Sequence, residues 1–156
     1  MKIRTIDRTW LSRFPGAEDW RKVLPVRGGL STDEKFEIFT RTGEHLILRV
    51  ADENQTRRKY AEFAFMQRCQ ALGFPMPQPV ACGLHAGRVY ELLTFVPGEP
   101  LSQELIGMPE DEQYRLGQEA GRALAAIHSV VLEPAERRHA DGEAEARKQM
   151  VFRYLA

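Results

Sequence analysis

Two adjacent glycines, a serine and a threonine separate two short apolar segments in "LPVRGGLSTDEKFEIF", residues 24–39. A turn at Gly28 and Gly29 would let the backbone approach a ligand closely, because glycine has no Cβ. The amide N–H groups of such a turn and the hydroxyls of Ser31 and Thr32 can donate hydrogen bonds to the oxygens of a polyphosphate. An ordinary hairpin turn uses the same residue types. The stretch alone therefore leaves both interpretations open.

The composition narrows the class of protein. The chain has 156 residues, of which 43% are hydrophobic and 28% charged, and this balance is typical of a globular domain with a buried core. The 22 basic and 22 acidic residues cancel, so no overall field favours nucleic acid or an anionic membrane. No apolar run approaches the roughly 20 residues that span a bilayer, and the first residues lack the apolar segment of a secretion signal. We therefore expect a cytoplasmic location.

The cysteines and histidines do not predict a metal site. Cys69 and Cys82 form neither a disulfide framework nor a metal-binding motif, and the four histidines have no ligand spacing. We interpret both thiols as reduced structural residues.

Alternating hydrophobicity predicts two strands after the glycines. From Lys35 onward, Phe36 and Ile38 fall on one side of the chain, and "RTG" at 41–43 then turns it. The segment "EHLILRV" at 44–50 predicts the next strand. Its two faces carry Leu46, Leu48 and Val50 on one side, and Ile47 and Arg49 on the other.

The next segments predict a helix and a strand pair. Asp52 or Asn54 is predicted to cap a helix that contains Glu62 and ends near Leu72, before Gly73. "PQPVACGL" and "GRVYELLTFV" then predict two strands joined by a turn at 85–87, and a long helix is predicted over 110–128. A short helix is also predicted over 18–23. This gives an α+β pattern.

The order of these elements resembles the nucleotide-binding lobe of the protein-kinase-like fold. The amino-acid sequence is most similar to the aminoglycoside phosphotransferase family in five segments: "GGLSTDEKFEI", "HLILRV", "KYAEFAFMQRCQALGFPMPQPV", "VYELLTFVPGEPL" and "EQYRLGQEAGRALAAIHS". The resemblance covers about residues 26–130. It implies a five-stranded antiparallel sheet with one helix, followed by the first helices of a truncated C-lobe. The implied domains are a nucleotide-binding N-lobe at 1–96, and a hinge with the beginning of the C-lobe at 97–156.

The resemblance assigns the phosphate end of a nucleotide site. It implies that Arg49 holds the α- and β-phosphates, at a position where protein kinases use lysine. It makes Glu62 the partner that positions Arg49, and it makes Gly28, Gly29, Ser31 and Thr32 the phosphate-covering turn. The ordinary alternatives are a surface arginine on an edge strand and a solvated glutamate on a helix.

The resemblance also assigns the base end of this site. Ile47 would form part of the adenine pocket, and Leu93 would lie at its back. Thr94, Phe95 and Val96 would form the hinge, where the Thr94 carbonyl and the Val96 amide bind adenine through the backbone. A plain core position for Ile47 and a simple strand terminus at 94–96 are the alternatives.

The catalytic segment of this family is not found in the sequence. Phosphotransferases of this fold use His-Gly-Asp followed by Asn and a later metal-binding Asp, and no such run follows His128. We interpret Asp141 in "HADGEAEA" as a chance match. The resemblance places the catalytic loop beyond Ala156, so the chain is expected to be a fragment or a truncated product. ATP is the expected ligand, and Mg²⁺ is expected only in the complete enzyme.

Three functions stay open at this point. The first is the ATP-binding part of an aminoglycoside phosphotransferase-like kinase, which transfers the γ-phosphoryl group to a small-molecule hydroxyl. The second is a nucleotide-binding or interaction module without transferase activity. The third is a kinase of the same fold that acts on an amino alcohol, a sugar or a homoserine-like substrate.

Overall fold

The computed structural model of the chain describes residues 7–27, 31–98 and 101–131. Its contacts divide the chain into two compact units, Met1–Leu116 and Gly117–Ala156. The boundary predicted between residues 96 and 97 separates two functional lobes and not two units of contact, and it stays a prediction.

Five strands form one antiparallel sheet in the order β1-β2-β3-β5-β4. The sheet confirms the predicted α+β fold class. The strands are β1 (Trp20–Val26), β2 (Glu34–Thr40), β3 (His45–Asp52), β4 (Pro79–His85) and β5 (Arg88–Thr94).

The helices lie before, within and after the sheet segment. They are α1 (Arg8–Ser12), α2 (Thr56–Cys69), α3 (Leu101–Glu104) and α4 (Glu110–His128). Single 3-10 turns at Glu53–Gln55 and Gln70–Leu72 extend α2 at both ends. The helical segment ends at Gly73, whose φ of 74° is the left-handed conformation that glycine adopts without strain. Both long helices predicted from the sequence are thus confirmed.

The predicted side-chain cap of α2 is wrong. Neither Asp52, at the start of the preceding 3-10 turn, nor Gln55, at the start of α2, makes a side-chain capping bond. Instead, Thr56 Oγ1 donates a hydrogen bond back to the Glu53 carbonyl. Asn54 lies within the 3-10 turn and is therefore not at the N-cap position of α2. The turn precedes the helix in place of a side-chain cap.

The short helix predicted at 18–23 is also wrong. Only Ala17–Asp19 is helical, as one 3-10 turn, and the chain is already extended from Trp20. Pairing of Val23 with Ile38 fixes this segment as β1, at the edge of the sheet. Pro25 is tolerated there, since an edge strand does not need every amide for pairing. Tertiary pairing overrides the local helix preference of these residues.

One face of the sheet is packed against the N-terminal segment. Directly opposed strand residues share a face, so the opposition of Leu48 to both Phe36 and Leu92 places all three side chains on this packed face. The aromatic side chains of Trp10 and Phe14 lie against it. Its buried cluster comprises Phe14, Phe36, Ile38, Leu46, Leu48 and Val50.

The opposite face carries α2, and we call it the α2 face. Arg49 projects from this face because it alternates with Leu48 along β3, as the sequence pattern predicts. Glu91 on β5 lies directly opposite Arg49 and bonds to Lys59 of α2. Within the described ranges, no helix is long and apolar enough to cross a membrane.

Candidate functional site

Five charged side chains meet on the α2 face, and we call them the ion cluster. Arg49 comes from the middle of β3, and Glu91 from the opposed position of β5. Lys59 and Glu62 come from successive turns of α2, while Asp33 precedes the first residue of β2. The cluster therefore joins two strands, one helix and the segment that follows the glycine pair.

A single carboxylate oxygen is the centre of the cluster. Asp33 Oδ2 accepts hydrogen bonds from Arg49 Nε at 3.1 Å and Arg49 Nη2 at 2.7 Å. It also accepts one from Lys59 Nζ at 2.7 Å. Only 4% of the Asp33 side chain is exposed, so three charge-assisted donors converge on one buried oxygen.

The ammonium group of Lys59 is fully paired. Besides Asp33, Lys59 Nζ donates to Glu91 Oε2 at 3.0 Å and to Glu62 Oε2 at 3.1 Å. The side chain is 2% exposed. Its three N–H groups thus meet three carboxylates, which is what allows a lysine to be buried.

Glu91 is the most deeply buried acid of the cluster. It is fully buried, and its Oε2 also lies 3.4 Å from Arg49 Nη1. Its Oε1 has no hydrogen-bond partner among the described residues. Burial raises the pKa of Glu91 above its usual value, even though Lys59 and Arg49 act in the opposite direction.

Asp33 and Lys59 shift in the directions expected of an ion pair. Burial alone would raise the pKa of Asp33, but hydrogen bonds and charges from Lys59 and Arg49 outweigh it and hold the pKa below its usual value. Burial alone would lower the pKa of Lys59, but Asp33 and Glu91 outweigh it and raise that pKa. Both groups are therefore charged at neutral pH.

The predicted ion pair between Arg49 and Glu62 is wrong, although both side chains lie on the α2 face as predicted. Arg49 bonds to Asp33 and Glu91, whereas Glu62 bonds to Lys59 and, at 2.8 Å, to Arg58 Nε. Lys59 bonds to Glu62 and shares the carboxylates of Asp33 and Glu91 with Arg49. Glu62 thus reaches Arg49 only through the shared network.

Three members of the cluster were missed in the sequence, although two carry a visible signal. Glu91 is a charged residue within the apolar run "VYELL", and a strand covered on both faces can bury a charge only beside a partner. Lys59 precedes Glu62 by three positions, the spacing at which helix side chains meet. Asp33 follows the predicted phosphate-covering turn and has no comparable signal.

The predicted phosphate-covering turn is described only in part. Gly28 and Gly29 lie outside the described residues. Ser31 and Thr32 are exposed, and the Asp33 backbone N–H donates to Ser31 Oγ at 3.3 Å. The described part of the turn thus ends at Asp33, one residue before β2.

The predicted base-end residues meet at the far end of β3 and β5. Ile47 lies directly opposite Leu93, which is 3% exposed. The backbone N–H of Thr94 donates to the Gln78 carbonyl at 2.9 Å, and that of Phe95 donates to the His45 carbonyl at 2.9 Å. Val96, the last of the predicted hinge residues, is 50% exposed.

An aromatic stack lies beside these residues. The His45 ring is stacked between Phe39, at 4.3 Å, and Phe95, at 4.1 Å, with interplanar angles of 19° and 20°. Its Nε2 lies 2.7 Å from Glu37 Oε1, which fixes the orientation of the ring. No local sequence pattern reveals this stack, because its members come from three separate segments.

The α2 face thus has two chemically different ends along one strand. Every second residue of β3 points to this face, which places His45, Ile47 and Arg49 in a row along it. The surface therefore changes along the strand from aromatic to aliphatic to cationic. Four residues of extended strand span about 13 Å. Among the described residues, no group of three or more histidine, cysteine, aspartate and glutamate side chains has the arrangement of a metal site.

Comparison with protein families matches residues 22–156 of the chain to the model of the phosphotransferase enzyme family. The match includes β1 from Lys22 onward, the other four strands, the ion cluster and the aromatic stack. A comparison with curated proteins gave no match.

Proposed function

Because this chain belongs to the phosphotransferase enzyme family, we propose that its sheet is the nucleotide-binding part of a small-molecule kinase with ATP as the donor. In the complete reaction, a hydroxyl oxygen of the acceptor attacks the γ-phosphorus, and the bond from this phosphorus to the β–γ bridging oxygen breaks. ADP leaves, and the hydroxyl proton passes to a base. The proposal assigns nucleotide binding, and no catalytic base, to the described residues.

The observation that carries this proposal is the gradient of chemistry along β3. The aromatic and aliphatic surface at His45 and Ile47 suits a purine base, and the cationic surface at Arg49 suits phosphates. The separation of about 13 Å between the two ends is comparable to the distance from the base to the first phosphates of an extended nucleotide. A site for a phosphate ion alone would not need the apolar end.

At the base end, we assign the adenine pocket to Ile47 and Leu93. The opposition of these two side chains supports the assignment, since together they form one apolar wall. The Thr94 carbonyl and the Val96 amide are proposed to bind the edge of the base, and Phe95 is held beside them by its stack on His45. Recognition through the backbone tolerates changes in these side chains.

At the phosphate end, we assign Arg49 as the first contact of the polyphosphate. Its side chain is 24% exposed, compared with 2% for Lys59, so it is the more accessible of the two cations. The fork of a guanidinium can bind a carboxylate and a phosphate oxygen together. Ser31 and Thr32, with the turn before them, are proposed to cover the phosphates.

Mg²⁺ is part of the proposal only as the ion that accompanies ATP in the complete enzyme. The carboxylates of Asp33, Glu62 and Glu91 each bind a lysine or arginine, so we assign none of them to the metal. The acceptor is proposed to be a hydroxyl-bearing small molecule, and a cytoplasmic location fits the use of ATP.

Calorimetric titration of ATP and adenosine tests the proposal. We expect ATP to bind in the high micromolar to millimolar range, which corresponds to roughly 4 to 6 kcal/mol. Arg49→Ala should weaken the binding of ATP more than that of adenosine. Arg41→Ala, the same change at an exposed turn residue, is the matched control and should affect neither ligand.

The outcomes separate the alternatives. Absence of binding for both ligands would overturn the proposal. Equal losses of ATP and adenosine affinity in Arg49→Ala would make Arg49 a structural residue. Binding of ATP without phosphoryl transfer is expected of this chain both as part of a kinase and as a non-catalytic module, because no catalytic base is assigned to the described residues.

A further inference from the structure

We propose that Asp33 Oδ2 occupies the position of a phosphate oxygen, and that a nucleotide phosphate displaces it to bind Arg49 and Lys59 together. Lys59 then becomes a second phosphate-binding residue, and Asp33 becomes a residue that sets affinity by competing with the ligand. The inference rests on the proposed function, since it requires the phosphates to reach this end of the α2 face.

The coordination of Asp33 Oδ2 is that of a bound anion. Two N–H groups of the Arg49 fork and the Lys59 ammonium point at one oxygen within 3.1 Å. A phosphate oxygen accepts the same charge-assisted donors at the same distances. The two cations are thus already arranged around a single anionic oxygen.

Asp33 is also the member of the cluster that can move most easily. Arg49 and Glu91 lie within paired strands, and Lys59 and Glu62 lie within α2. Asp33 lies outside any strand or helix, in the segment between the glycine pair and β2. Its displacement would leave the sheet and the helix intact.

The charges favour this exchange over simple addition of the ligand. The ion cluster carries two positive and three negative formal charges, and Arg58, which bonds to Glu62, balances the third negative charge. A polyphosphate approaching the assembled cluster therefore meets no net positive charge. When the Asp33 carboxylate leaves, Arg49 and Lys59 face only Glu62 and Glu91. The negative charge that opposes the ligand is then removed, and two cations become available to it.

The test compares Asp33→Asn with the wild type in calorimetric titrations of inorganic tripolyphosphate, ATP and adenosine at one ionic strength. Asparagine is nearly isosteric and removes the competing charge. We expect the variant to bind tripolyphosphate and ATP about fivefold more tightly, because a like charge close to the ligand is removed, and to bind adenosine unchanged. Asp111→Asn, the same change at an exposed residue of α4, should alter none of the three affinities.

A second measurement follows the displacement in the unmutated chain. On addition of tripolyphosphate, the side-chain carboxyl resonance of Asp33 should move toward that of an exposed aspartate, and the Lys59 ammonium resonance should shift. The exposed Asp111 serves as an internal reference. The measurement does not depend on the stability of any variant.

The results distinguish this inference from the proposed function. If Asp33→Asn binds ATP as the wild type does or more weakly, or if saturating tripolyphosphate leaves Asp33 and Lys59 unshifted, Asp33 is a permanent structural ligand and the inference is wrong. The proposed function survives that result. Absence of binding for ATP, adenosine and tripolyphosphate alike would overturn both.

Discussion

Lys59 Nζ lies 2.7 Å from Asp33 Oδ2, although 26 positions separate the two residues in sequence. The contact ties α2 to the segment before β2, and Glu91 Oε2 at 3.0 Å ties the same ammonium to β5. The site is therefore assembled by tertiary contacts around one buried cation. Four experiments follow from this arrangement.

The first prediction concerns the buried lysine. Lys59→Met should lower the free energy of unfolding by about 3 kcal/mol, because it takes one of two cations from the buried carboxylates of Asp33 and Glu91 and leaves only Arg49 beside them. Chemical denaturation monitored by circular dichroism measures the change. Lys22→Met, at an exposed position of β1, is the control and should cost less than about 1 kcal/mol. Similar losses of unfolding free energy in both variants would mean that the buried contacts of Lys59 do not stabilise the fold more than an exposed lysine does.

The second prediction uses a double variant to separate pairing from packing. Adding Glu91→Leu to Lys59→Met removes the fully buried carboxylate that the first change leaves with only its 3.4 Å contact to Arg49. We expect the double variant to recover a substantial part of the lost stability, since replacing a buried ion pair by apolar groups is often neutral. Additive losses from the two changes would contradict a direct coupling of these residues.

The third prediction concerns alkaline pH. The pKa of Lys59 is raised above its ordinary value of 10.5 in the folded chain, because Asp33 and Glu91 outweigh the effect of burial. The group therefore contributes stability that is fully present below pH 10.5 and is lost as the pH rises through the higher folded value. The free energy of unfolding, measured from pH 8 to pH 12, should show this fall in the wild type and a smaller one in Lys59→Met. Parallel curves would contradict the assignment.

The fourth prediction concerns the thiol next to the cluster. Burial and the charge of Glu91 raise the pKa of Cys82 to about 11, so little thiolate exists at pH 8. We expect iodoacetamide to modify Cys82 about tenfold more slowly in the folded chain than in the urea-unfolded chain, after allowance for the greater nucleophilicity of a more basic thiolate. Mass spectrometry of the Cys82 peptide measures both rates. Equal rates would show that the thiol is not shielded.

The sequence predicted the elements of the fold better than the contacts between them. The alternation of Leu46, Leu48 and Val50 is a local signal, and it placed Arg49 on the correct face of the sheet. The helix predicted at 18–23 failed because pairing with β2 outweighs local preference. The partner of Arg49 was predicted from a family resemblance, and such a resemblance does not show that Lys59 intervenes.

The sharing of Asp33 Oδ2 by two cations also has a consequence for the evolution of the family. Loss of any one of Asp33, Arg49, Lys59 and Glu91 takes a partner from at least one other buried charge, so we expect single substitutions there to destabilise the chain and to be selected against. Lineages that change one of these positions should change a second one with it. In an alignment of relatives, these four columns should therefore vary together, as a unit that is inherited or replaced in concert.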